Sequence, residues 1–200
     1  MFRIHLKKAE QRCRYVLKTF VCTINIHGNS TTVRGLLDGA SDASYVHNAV
    51  LLRLGVAEKP TCILNVMSYG STTSTPQRSA CYNATLVNQS SGMKSISVLP
   101  TSCITGETQL APNHTVVSSI LPDKHYADPT IFNQKSPIIE LLIGSDFYNN
   151  FVHLSGYQRL TPLLVLKMSF FGWTPHGSVE LPSGQNQAIS LTASSSINPV

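Results

Sequence analysis

The chain has 200 residues, 42% of them hydrophobic and only 12% charged, which supports a sizeable core in one domain with tails and excludes a disordered polyelectrolyte. Its formal charge of +5 is local: Arg3, Lys7, Lys8, Arg12, Arg14 and Lys18 against Glu10 account for all of it, so the rest of the chain is balanced. Nucleic-acid binding is therefore not expected beyond weak contact through this N-terminal arm, and no apolar run reaches the ~18 residues of a membrane span or forms the core of a signal peptide.

Ser, Thr and Asn are abundant and the long apolar stripes of helices are missing, so the chain reads as mainly β with one or two short helices. After a basic arm at 1–14, β-branched and aromatic residues over 15–27 predict a strand, and Gly28-Asn29 a turn into a second strand over 31–37. The apolar cluster 47–55, ending in Gly55, predicts a short helix. Strands are expected at 61–67, 79–87 and 93–99, with a mobile hairpin tip between the first two at Tyr69-Gly70-Ser71 and onward to Pro76. Residues 100–135, broken by Pro112, Pro122 and Pro129, read as a long surface excursion. A buried strand from Pro137 runs through Ile143 into a Gly144 turn and a short helix to Tyr148. Further strands are expected at 161–173 and 178–181. The domain is taken as 15–182, followed by a polar tail or linker at 183–200.

Around Asp38 the pattern is most specific. Val33-Arg-Gly-Leu-Leu37 delivers one carboxylate into Gly39-Ala40-Ser41, whose small side chains let backbone N–H groups approach its oxygens, and Tyr45-Val46 resumes an extended path. A bare turn-capping Asp is the bland alternative. The seven His residues form no ligand pair, and Cys13, Cys22, Cys62, Cys81 and Cys103 show no Cys-x-x-Cys spacing. No metal or other cofactor is expected, and buried free thiols are. Asp146 reads as a helix cap. Sequons at Asn29, Asn83, Asn88 and Asn113 carry weight only for a secreted β-sandwich, a reading from another class; otherwise the chain is expected to be intracellular, in the cytoplasm.

Six pieces in order, YVLKTFVCTINI with TTVRGLLDGASDASYV, then ILNVMSYG, YADPTIF, IELLIGSDFYNNFV and SFFGWTPHG, resemble the retropepsin-like aspartic protease region of BEL/Pao-type retrotransposon polyproteins, over roughly 15–177. The resemblance implies a closed β-barrel of the acid protease type. It makes Asp38 catalytic within the loop Gly39, Ala40 and Ser41, with Ile143 and Gly144 as the supporting turn beneath. Asp42, Tyr69, Gly70 and Ser71 are the implied substrate contacts, the last three on a flap. With one such motif per chain, it implies a homodimer that pairs two Asp38 carboxylates to hydrolyse a polypeptide substrate. The chain departs from the family at Gly39, where Ser or Thr is usual, and at Ala40, where Gly is usual. Those changes keep open the alternative of a catalytically inactive protease-fold domain acting as a peptide-binding or assembly module.

Overall fold

Alternation along residues 19–26 buries Phe20, Cys22, Ile24 and Ile26 on one side of a strand, and this pattern seeds the main core. The computed structural model describes residues 13–57, 60–66, 75–105, 121–132 and 138–180. In chain order the strands are β1 (Cys13–Val16), β2 (Thr19–Ile26), β3 (Asn29–Leu37), β4 (Tyr45–His47), β5 (Pro60–Val66) and β6 (Thr75–Ala80). They continue as β7 (Tyr82–Val87), β8 (Met93–Thr101), β9 (Leu141–Ile143), β10 (Val152–Arg159), β11 (Leu164–Ser169) and β12 (Gly172–Glu180). Two short helices, α1 (Asn48–Arg53) and α2 (Ser145–Phe151), complete a mainly β chain, as the composition predicts.

Six strands close into a barrel in the order β2-β3-β9-β4-β8-β7. Most neighbours are antiparallel, but β3 runs parallel to β9 and β4 parallel to β8, so the barrel is mixed. A second sheet, β1-β12-β11-β10, lies beside it, and β5 pairs with β6 as a separate ribbon. Phe20 stacks on Phe171 with ring centroids 3.9 Å apart, and Phe151 stacks on Phe171 at 5.3 Å, which joins the barrel to the end of α2 and the β11–β12 turn.

Several sequence expectations shift by a few residues for physical reasons. The first hairpin turns at His27-Gly28 rather than Gly28-Asn29, with φ of 53° and 86°, the paired positive values of a two-residue turn that matches strand twist. The single strand expected over 15–27 is broken at Leu17-Lys18, because β1 pairs with β12 while β2 belongs to the barrel. The strand expected over 79–87 breaks at Cys81, where the chain passes from the β5–β6 ribbon into the barrel. The strand expected at 161–173 ends at Ser169, and a turn at Phe170-Phe171 starts β12, which runs through Pro175.

Residues 121–132 are not the surface excursion expected. Tyr126, Ala127 and Asp128 are buried, Val21 N–H donates to the Ala127 carbonyl at 2.8 Å, and Ala127 N–H donates to Trp173 O at 3.0 Å. The Asp128 carboxylate meets Arg34 Nε at 2.7 Å inside the molecule and accepts from Thr130 N–H and Oγ1, so the polar groups of this irregular segment are satisfied where they are buried. Of the cysteines whose side chains are described, Cys22 is buried as expected, and burial pushes its thiol up to about 12. Cys81 is half-buried and Cys103 exposed, which departs from the expectation of buried thiols.

Candidate active site

The end of β3 sets Asp38. Leu37 is buried and its N–H donates to Lys18 O at 2.9 Å, while the Asp38 N–H donates to Ile143 O at 3.0 Å, so the carboxylate leaves the barrel at a fixed point. The turn that follows closes on itself: Ala40 N–H donates to Asp38 Oδ1 at 3.0 Å and Ser41 N–H to Asp38 O at 3.3 Å. Asp38 is half-buried, and Gly39 and Ala40 are exposed. Neither Gly39 nor Ala40 is dictated by the backbone, since φ is not positive at residue 39 or 40.

Beneath this turn lies a second one, Ile143-Gly144, supplied from about a hundred residues further along. Ser145 N–H donates to Ser41 O at 2.7 Å, and Gly144 N–H donates to Ser44 Oγ at 3.0 Å. Gly144 has no unusual φ; it is needed for space, because a Cβ there would lie 2.3 Å from Ala43 O and 2.8 Å from Ser41 O. Asp146 completes the lacing, accepting from Ser44 Oγ at 2.7 Å and from Ser44 N–H at 3.0 Å. The reading of Asp146 as a helix cap holds in part: Gly144 occupies the cap position of α2 with no side-chain bond, while Asp146 accepts from the first-turn Phe147 N–H at 3.0 Å and, through Ser44, ties the two turns together. The link between Ser44 and Asp146 had no signal in the sequence, since nothing local marks two residues so far apart as partners.

A cavity of about 280 Å³ opens beside Asp38, lined by Asp38, Ser41, Tyr45, Thr101, Cys103, Ile104 and Leu142. The far end of β8 and the residues just beyond it thus form a wall that sequence reading did not assign. Of the other site residues, Asp42 is exposed on the same turn, and its carbonyl accepts from Ser145 Oγ at 3.4 Å. Tyr69, Gly70 and Ser71 lie outside the described residues. Among the described residues, no three His, Cys, Asp or Glu side chains gather as a metal site, and no helix is long and apolar enough to cross a membrane.

The chain is similar to a solved structure of the EIAV protease complexed with the inhibitor HBY-793, at 13% identity and a TM-score of 0.35, over 74% of this chain and 93% of that one. No family model and no curated protein matches it.

What the arrangement can do chemically follows from its parts. One carboxylate oxygen of Asp38 is engaged by the Ala40 N–H, so the group is oriented, and it borders a cavity wide enough for a side chain. Among the described residues, Asp128 is engaged with Arg34, Glu140 with Arg53, and Asp146 with Ser44 beneath the turn. A single chain thus presents one oriented carboxylate on a braced turn.

Proposed function

We propose that this chain is a retropepsin-like aspartic endopeptidase that acts as a homodimer, each subunit contributing Asp38, and that it cleaves a polyprotein of BEL/Pao-type retrotransposon origin. The observation that carries the reading is the braced pair of turns: Asp38 N–H on Ile143 O, Ser145 N–H on Ser41 O, and the carboxylate held by Ala40 N–H at the mouth of the cavity. Aspartic-type peptide hydrolysis requires two facing carboxylates, and symmetry supplies the second. Brought to ~3 Å, two carboxyl groups share one proton and titrate as a pair. The ionised member takes a proton from a bound water as that water attacks the scissile carbonyl, and the protonated member donates to the carbonyl oxygen. A cavity of about 280 Å³ is at the small end for a binding cleft, in keeping with half of a site that a second copy completes. In this reading Asp42 and the segment containing Tyr69, Gly70 and Ser71 contact the extended substrate. An intracellular, cytoplasmic setting belongs to the same reading and is supported by cysteine spacing without a disulfide or metal pattern.

The second reading, an inactive protease-fold module that binds peptides or assembles with partners, is favoured by Gly39, which offers no hydroxyl to brace the turn across a dimer. The two are separated by hydrolysis of a mixed peptide library between mildly acidic and neutral pH, with Asp38→Asn as the control and protein concentration varied. Cleavage lost in the control, with specific activity rising with concentration, is the expected result. A folded protein that cleaves nothing moves the reading to the inactive module.

A further inference from the structure

Gly39 and Ala40 add no side-chain bond of their own to the turn after Asp38, and the turn is also held from outside, by Tyr148 of α2 and by Lys18 in the break between β1 and β2. Tyr148, on α2, lies beneath Gly39: a Cβ built there would be 3.6 Å from Tyr148 Cγ and Cδ2 and 3.7 Å from Cδ1, so the turn rests on the ring. The Tyr148 hydroxyl accepts from Lys18 Nζ at 2.7 Å, and the same ammonium is 4.6 Å from the ring centroid. Lys18 in turn accepts the Leu37 N–H on its carbonyl at 2.9 Å. Residue 18 thus touches the residue before Asp38 through its backbone and, by way of Tyr148, the residue after it. Both side chains are half-buried, where a charge-assisted hydrogen bond is stronger than in open water.

We propose that Lys18 and Tyr148 are positioning residues that act as one clamp on the Asp38 turn, doing within a single chain what the missing hydroxyl at position 39 cannot do. Its catalytic consequence rests on the proteolytic reading; its effect on the turn does not. Helix α2 is a suitable anchor, because Tyr148 N–H donates to Gly144 O at 2.8 Å, which fixes the ring to the lower turn as well. The clamp also accounts for an otherwise odd placement, a lysine in the break between two strands that reaches 130 residues along the chain to a tyrosine hydroxyl.

The test uses Lys18→Met, Tyr148→Phe, their combination and Lys18→Arg in the full chain. Solvent exchange of the Ala40 and Ser41 amides is followed by NMR, with Tm recorded alongside. The expected result is exchange about tenfold faster in each single variant, no further increase in the combination, and a rate near that of the parent in Lys18→Arg, with little change in Tm. Unchanged exchange in both single variants, or effects that simply add, overturns the clamp. Where the parent hydrolyses peptides, kcat falls in the single variants while KM holds, and unaltered kcat beside faster exchange overturns the positioning role. A parent without hydrolysis counts against the proteolytic reading alone, and the exchange rates still decide the clamp.

Discussion

Gly144 and Gly39 sit on facing turns and have opposite tolerances. At Gly144 an added methyl runs into the Ala43 carbonyl, which is backbone and cannot step aside, so Gly144→Ala is expected to destabilise the protein by about 1–3 kcal/mol and to loosen both turns. The midpoint of urea unfolding measures this, and an unchanged midpoint would contradict the close approach. At Gly39 the same methyl meets only the Tyr148 ring at 3.6 Å, an ordinary contact. Gly39→Ser can therefore add a hydroxyl there without disturbing the turn. Combined with Ala40→Gly, it is expected to raise peptide hydrolysis by at least about tenfold, measured as kcat/KM, if the altered turn is what limits catalysis. An intact fold with no gain would show that the limitation lies elsewhere. The Arg34–Asp128 pair is also sensitive: Arg34→Met leaves a carboxylate inside the molecule opposite an apolar side chain, at a cost of about 3–5 kcal/mol in unfolding free energy. Adding Asp128→Asn should recover part of that loss, and a double variant no better than the single would argue against the pair.

At the level of elements, the sequence disclosed what is local. The β2–β3 hairpin, α1 with Gly55 past its end, and the passage from β9 through Gly144 into α2 all carry alternation or turn chemistry over a few residues. The Asp38 turn was legible for the same reason. β10 was missed, since Val152–Arg159 mixes polar residues with Gly156, and that glycine is explained only by its neighbour: a Cβ there would lie 2.1 Å from Met168 Cβ on β11. The burial of Tyr126 to Asp128 was equally hidden, because an Asp beside prolines looks like surface until Arg34 is found opposite it. His176, on β12, shows how such meetings set pH response. Although His176 keeps an exposed face, partial desolvation first, and then the charges of Lys18 and Lys167, hold its imidazole below the usual 6.5. The unfolded chain therefore takes up that proton before the folded one does. Stability from this group is full above the unfolded pKa and declines as pH falls through it towards the lower folded value. Unfolding midpoints at about pH 7.5 and about pH 5 should differ less in His176→Gln than in the parent, and equal slopes in the two would rule the residue out.

For the molecule as a whole, β3, β9 and the start of α2 meet at a single braced turn, and in the proposed function two copies of that turn make the catalytic unit. Specific activity should accordingly rise with protein concentration, and mixing the parent with an excess of Asp38→Asn should suppress hydrolysis by forming mixed pairs. Activity strictly proportional to concentration and untouched by the Asn variant would mean that one chain suffices. A different consequence follows from the sheet β1-β12-β11-β10. Because Cys13 pairs with Glu180 and Val16 with Gly177, the first and last described strands run side by side, one strand spacing of ~5 Å apart. A linker of a few residues can join them, and the exposed His27-Gly28 turn offers a place to reopen the chain. Such a circular permutant should fold to the same barrel with the Asp38 turn intact, which makes the architecture a property of the contacts and not of the order in which the chain visits them.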